Sequence, residues 1–356
     1  MKKAYLVLSN GKVFEGESFG ARRDSVGELV FTTEMNGYIE TLSDPCYYGQ
    51  IILQTFPLIG NYGIIEEDLE GECAAAGYVV REWCSAPSNF RSLYDIDTYL
   101  KDKGVVGISG VDTREITKII REQGTVNAKI CQKIPDDLAE IQDFKVTNAV
   151  KAVSQNNGRI FPSFGDEKFK VVLVDYGAKR SIVSELQKRG CAVAEMSSAA
   201  AAEEILSCRP DGIVLSDGPG DPAENTGCVD ELKKLFGKAP IFGIGLGHQL
   251  LALANGWDTV KLKYGHRGSN QPVRDLLGTR TYITTQNHGY TVVPKKSGHI
   301  GTIRYVNAND GTCEGIDYDG RGAFSVQFHP KTELSFGRLD SPMLFDRFIN
   351  VMGEGM

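Results

Sequence analysis

The sequence predicts an α/β protein built as a strand-rich first half followed by an alternating strand–helix second half. Three observations lead there. Short β-type runs separated by turn formers dominate the first 130 residues. Three buried-strand runs in the second half are each followed by a loop, and two of these lead directly into helical spacing. A polar stretch without periodicity, Ser154-Gln155-Asn156-Asn157-Gly158-Arg159, divides the two. With roughly 150 residues per domain, 356 residues call for about two. We therefore expect domains at 1–150 and 169–356, joined by a linker at 151–168.

The elements follow in order. Lys2 to Val7 reads as a strand running into an Asn10-Gly11 turn, and it is too short for a secretory segment. Leu29-Val30-Phe31 and Ile51-Ile52-Leu53 are further strands. Asp112-Thr113-Arg114-Glu115 has the pattern of a helix start before Ile116, Ile119 and Ile120, and Gly124 closes that helix. The first half contains no histidine and no catalytic constellation, so it reads as a binding or docking domain. In the second half, Val171 to Val174 is a strand, and Ile182, Val183 and Leu186 have helical spacing. Gly212 to Leu215 leads into the loop Ser216-Asp217-Gly218-Pro219-Gly220-Asp221-Pro222. Ile241 to Ile244 runs through Gly245-Leu246-Gly247-His248-Gln249 into an apolar helix. The alanine run Ala199–Ala202 is read as helical. Strands alternating with helices place a site at the carboxyl ends of a parallel sheet.

Composition excludes several roles. Hydrophobic residues at 41% and charged residues at 24% are ordinary for a globular protein, and no apolar run approaches the roughly 20 residues that span a bilayer. A net charge of −7 without a basic block argues against nucleic acid as a partner. The 8 cysteines lack C-x-x-C spacing, which points to reduced thiols in a cytoplasmic protein. His248, His266 and His288 have no metal-ligand spacing on any one element. They are read as structural, and no metal is expected.

The stretch 243–249 is the most informative. A dinucleotide loop fails because His248 occupies the last glycine position of G-x-G-x-x-G, and no phosphate-cradling G-x-x-x-x-G-K-[ST] occurs. A nucleophile elbow, Gly-x-Nuc-x-Gly between strand and helix, fits better. At the nucleophile position stands Gly245, which has no side chain.

With these residues in place, the chain resembles the small, glutamine-hydrolysing subunit of carbamoyl-phosphate synthetase along essentially its whole length. In the first half the resemblance rests on Phe31-Thr32-Thr33-Glu34-Met35-Asn36-Gly37-Tyr38, Ser43-Asp44-Pro45-Cys46-Tyr47, the run from Phe56 to Gly63, and Gly110-Val111-Asp112-Thr113-Arg114. In the second half it rests on Asp217 to Pro222, Gly247-His248-Gln249, Gln286-Asn287-His288-Gly289-Tyr290 and Gln327-Phe328-His329-Pro330. It implies a β-rich small-subunit domain followed by a class I glutamine amidotransferase-like α/β domain. In that family a cysteine attacks the glutamine amide, a histidine takes its proton and a glutamate orients the histidine. Position by position these fall on Gly245, His329 and Lys331, so only the base remains. Glutamine hydrolysis by the usual route is therefore expected to be lost. Cys46 falls where the family has a glutamine-contacting serine, and Glu333 lies two residues beyond the acid position.

The resemblance implies glutamine contacts at Cys46, Gly218, Gly220, Leu246, Gln249, Asn287, Gly289 and Tyr290. The segment Gly265 to Val273 departs from the family's Gly-Gly-Asn-His-Pro run. The implied partner is the large subunit, which carries the ATP and Mg sites, so no cofactor is expected in this chain. The pathway, arginine or pyrimidine, stays open. The alternative function is a stand-alone pseudo-glutaminase that binds glutamine or regulates, and an active hydrolase with displaced chemistry is a third.

Overall fold

The computed structural model describes residues 2–155, 158–295, 297–318, 320, 322–330 and 343–354, together with the backbone of 333–334 and 337–338. The chain forms two compact units, Met1–Thr147 and Asn148–Met356.

The first unit is a closed barrel. Its strands run in the order Lys2–Leu8, Val13–Gly20, Val106–Ser109, Gly77–Val79, Gln50–Gln54, Ser25–Thr32 and Val126–Cys131, which pairs back onto Lys2–Leu8. The alternation of side chains along each strand sorts the apolar residues into two cores. Leu29, Phe31, Ile51, Leu53 and Val79 enter one, together with Ile116, Ile119 and Ile120 of the Thr113–Gln123 helix. Val30, Ile52 and Tyr78 enter the other, with Tyr38, Ile96 and Leu100. The helix starts as expected, with the Asp112 carboxylate accepting the Glu115 N–H at 2.9 Å, and ends at Gly124.

The second unit carries a ten-stranded sheet. Its parallel part has Cys191–Ser197, Phe169–Asp175, Gly212–Leu215, Ile241–Ile244 and Ala323–Val326 side by side. The remaining long strands, Cys313–Tyr318, Thr281–Val293, Asp258–Asp275 and Thr302–Asn307, extend it antiparallel. Alternate residues again face opposite cores. Val172, Val174, Ile213 and Leu215 pack with Leu232, Leu235, Leu250 and Leu251. Val171, Leu173, Val214 and Phe242 pack with Ile182, Leu186, Phe345 and Phe348. Helices therefore cover both faces of the parallel strands, which is why those strands read as continuous apolar runs. No helix among the described residues is long and apolar enough to cross a membrane.

Two expectations need correction. Much of the stretch read as a linker belongs to the second unit. Residues 151–153 complete the Ala149–Val153 helix, whose Val150, expected in the first domain, enters a core of the second unit, and Arg159–Phe161 pairs antiparallel with Cys191–Ser197 as an edge strand. A short, mostly exposed edge strand has little apolar periodicity to betray it. Asn156 and Asn157, in the same stretch, lie outside the described residues. The alanine run is helical only from Ala202. Before it the chain turns, with Ala200 N–H donating to Ser197 O at 3.0 Å and Ala201 N–H to the Glu204 carboxylate at 3.0 Å.

Candidate functional site

The parallel strands end at Asp175, Leu215, Ile244 and Val326, and the residues just beyond them converge. Gly245 sits between its strand and the Leu246–Ala254 helix with φ 56°, the left-handed turn that an elbow requires. The turn is tight. A Cβ on Gly247 would stand 2.4 Å from Leu215 O, and one on Gly243 would stand 2.9 Å from Gly247 O. Small residues flank the elbow because the neighbouring strand and the first turn of the following helix leave no room for others. The space above Gly245 is itself taken, since a Cβ there would stand 2.7 Å from Asp217 Cβ.

His329 is buried beside this turn, with its N–H given to Thr285 O at 2.9 Å. Its Nε2 lies 3.0 Å from the Ser181 hydroxyl. Its Nδ1 lies 3.4 Å from Asp217 Oδ2, within ion-pair range but without an aligned hydrogen bond among the described residues. Lys179 Nζ stands 3.1 Å from the same oxygen. Burial raises the Asp217 carboxyl, but the Lys179 ammonium and the His329 ring outweigh it and hold the group down at about 2. Asp217 is thus an ionised carboxylate beside the imidazole. Sequence reasoning missed Asp217, Lys179 and Ser181. Asp217 was visible as the residue before Gly218, but nothing in the sequence says that it turns toward His329. Lys331 and the Glu333 side chain lie outside the described residues.

Several of the expected glutamine-contact positions do come together. A Cβ on Gly218 would stand 2.3 Å from Tyr176 O and 3.0 Å from Leu246 Cδ2, so this glycine allows one loop to close on the next. Gly220 has φ 91° and faces Ala149. The Gln249 amide donates to Tyr290 O and to Gln327 Oε1, each at 2.9 Å, and so ties the elbow helix to the Thr281–Val293 strand. Asn287 pairs with Arg267 across the neighbouring strand, and Gly289 follows two residues on. Cys46 belongs to the first unit, buried in the Pro45–Tyr47 turn with its N–H given to Asp44 Oδ1 at 2.9 Å.

Three further histidines, His248, His266 and His288, divide. His248 is structural as expected. It is fully buried, its Nδ1 lies 2.8 Å from Ser325 Oγ, and burial pushes its pKa down to about 3. His266 and His288 are not independent of each other. They lie opposite one another on adjacent strands and share Glu314 as a neighbour, a grouping that spacing along one element could not disclose.

Comparison with known proteins gives concordant matches. Residues 6–130 match the family described as "Carbamoyl-phosphate synthase small chain, CPSase domain", and residues 172–351 match "Glutamine amidotransferase class-I". The chain is 47% identical over 351 residues to the carbamoyl phosphate synthase small chain of Clostridium perfringens, covering 98% of this chain and 99% of that one. It is 45% identical over 355 residues to the carbamoyl phosphate synthase pyrimidine-specific small chain of Bacillus subtilis, covering 98% and 96%. Among solved structures, a glutamine amidotransferase of Thermotoga maritima aligns at 17% identity with a TM-score of 0.38, covering 45% of this chain and 75% of that one.

Proposed function

The chain belongs to the carbamoyl-phosphate synthase small-chain family, and we propose that within it this chain is a small subunit that no longer hydrolyses glutamine. The carrying observation is Gly245 at the elbow, with Asp217 Cβ 2.7 Å from where a side chain would begin. Without a nucleophile no acyl-enzyme forms, and Lys331 at the acid position offers no carboxylate to orient His329. In other triad hydrolases the loss of nucleophile or base costs about 10⁶ in turnover, roughly 8 kcal/mol of transition-state stabilisation.

In this reading the chain serves a large subunit that makes carbamoyl phosphate from bicarbonate, ATP and free ammonia, with ATP and Mg held on that partner. It acts in the cytoplasm, and the name of the Bacillus subtilis relative favours pyrimidine supply. Glutamine remains a candidate ligand of the positions around Gly218, Leu246, Gln249 and Tyr290.

One observation favours a second reading. Ser181, His329 and Asp217 follow one another in the order of a hydroxyl, a base and an acid, with separations of 3.0 and 3.4 Å. A displaced nucleophile would act through Ser181.

Calorimetric titration of glutamine into the purified chain, with ammonia release assayed in parallel, tests both. Glutamine bound without ammonia supports the proposal. Ammonia released at a rate that Ser181→Ala abolishes replaces it with the second reading.

A further inference from the structure

Three side chains unrelated to the elbow chemistry meet in the antiparallel part of the second unit's sheet. His266 lies on Asp258–Asp275, His288 on Thr281–Val293 and Glu314 on Cys313–Tyr318. Glu314 and His288 are buried, His266 keeps 11% of its side chain exposed, and one ligand atom from each lies within 4.8 Å of the other two. The imidazole rings meet edge to face with centroids 4.9 Å apart. Glu314 Oε1 lies 3.3 Å from His266 Nδ1 and 3.9 Å from His288 Nε2.

The outer partners decide which atoms turn inward. Tyr290 O can only accept, so His288 Nδ1, 2.8 Å from it, carries the proton. In a neutral ring this leaves the lone pair on Nε2. That nitrogen faces Gln286 Oε1 at 3.1 Å, where neither atom has a proton to give. Turning the Gln286 amide over would relieve this contact only with Glu314 protonated, because the Gln286 Nε2 donates to Glu314 Oε2 at 3.0 Å and to Thr284 Oγ1 at 3.1 Å. At His266, Nε2 stands 2.9 Å from Asp310 Oδ2, which places a proton there; in a neutral ring the Nδ1 lone pair then turns toward Glu314 Oε1 at 3.3 Å, with the Asn307 amide nitrogen 3.4 Å away.

We infer that His266 Nδ1, His288 Nε2 and Glu314 Oε1 form a binding site for a divalent transition-metal ion, with zinc the best fit. Two imidazoles and one carboxylate are a zinc-type donor set, and ligands about 2.0–2.2 Å from a tetrahedral ion stand about 3.4 Å from each other. The two Glu314 separations, 3.3 and 3.9 Å, are near this value, and the widest in the group, 4.8 Å, requires the two imidazoles to close by about 1.4 Å. The surrounding shell is already built. One histidine gives its outer N–H to a carboxylate and the other to a backbone carbonyl, while the second Glu314 oxygen is held by Gln286. A dication would also offset the fully buried Glu314 carboxylate. Because His288 stands between Asn287 and Gly289, an ion there would fix the strand that carries these two positions.

The test uses the full chain stripped with a chelator and titrated with zinc by calorimetry, then with Co²⁺ followed by visible absorption. One equivalent should bind, and the Co²⁺ spectrum should lack the thiolate charge-transfer band expected if the protein's cysteines were the ligands. His288→Ala and Glu314→Gln should abolish the site. Asp310→Asn, at a rim position with 44% side-chain exposure, should weaken binding about 10–100-fold without disturbing the core. If the two buried variants fail to fold, Asp310→Asn still decides. No stoichiometric binding, or an affinity unchanged by Asp310→Asn, overturns the assignment. The cluster is then a hydrogen-bonded network in which a protonated His266 bridges Asp310 and Glu314.

Discussion

Asp217 occupies the space that a side chain on Gly245 would enter: its Cβ stands 2.7 Å from the position of a Cβ built on the glycine. The same residue carries its carboxylate to 3.4 Å from the His329 imidazole. The side-chain-free elbow and the surroundings of His329 are therefore parts of one local arrangement, completed by Lys179.

Restoring the thiol alone should fail. Gly245→Cys forces Asp217 aside, and overpacking of this kind costs about 1–3 kcal/mol. We expect a lower thermal midpoint and no ammonia release from glutamine. Hydrolysis restored by this single change would show that Asp217 yields easily.

Removing the Asp217 charge should be costly. Asp217→Asn removes a carboxylate 3.1 Å from the buried Lys179 ammonium, and breaking a buried ion pair of this kind costs about 3–5 kcal/mol in denaturant unfolding. The folded-state pKa of Asp217 is depressed from 3.8 to about 2. Its contribution is therefore complete above pH 3.8 and is lost as the pH falls through that value toward 2. Plots of unfolding midpoint against pH should converge for wild type and variant at the acid end, and parallel plots would contradict the assignment.

His248 should make stability rise with pH. Burial lowers its folded-state pKa from 6.5 to about 3, so between those values the unfolded chain binds the extra proton. The expected slope is up to about 1.4 kcal/mol per pH unit, lost progressively as the pH falls below 6.5. His248→Asn keeps a donor for Ser325 and removes the titration, so the variant's stability should change less steeply over this window.

Ser181→Ala should be mild if the site is inert. The lost hydrogen bond to His329 is worth about 0.5–1.5 kcal/mol. Background ammonia release should not change.

The sequence alone determined a great deal here. The alternation of strand and helix in the second half, the helix at Thr113–Gln123 and the elbow at Gly245 all follow from local rules of periodicity, helix capping and turn stereochemistry. That the elbow position carries no side chain was legible because a glycine has none in any fold. The edge strand Arg159–Phe161 escaped because pairing on one side only leaves a mostly exposed strand with no buried face to mark it. The two constellations that set the chemistry escaped for a different reason. Lys179, Ser181, Asp217 and His329 follow three different strands of the sheet, and His266, His288 and Glu314 come from three more. Periodicity tells which face of its element a residue occupies. It does not tell which elements become neighbours, because sheet order and strand register are fixed by long-range pairing. The fate of His329 and the meeting of two histidines with a buried glutamate were decided there, in the tertiary structure.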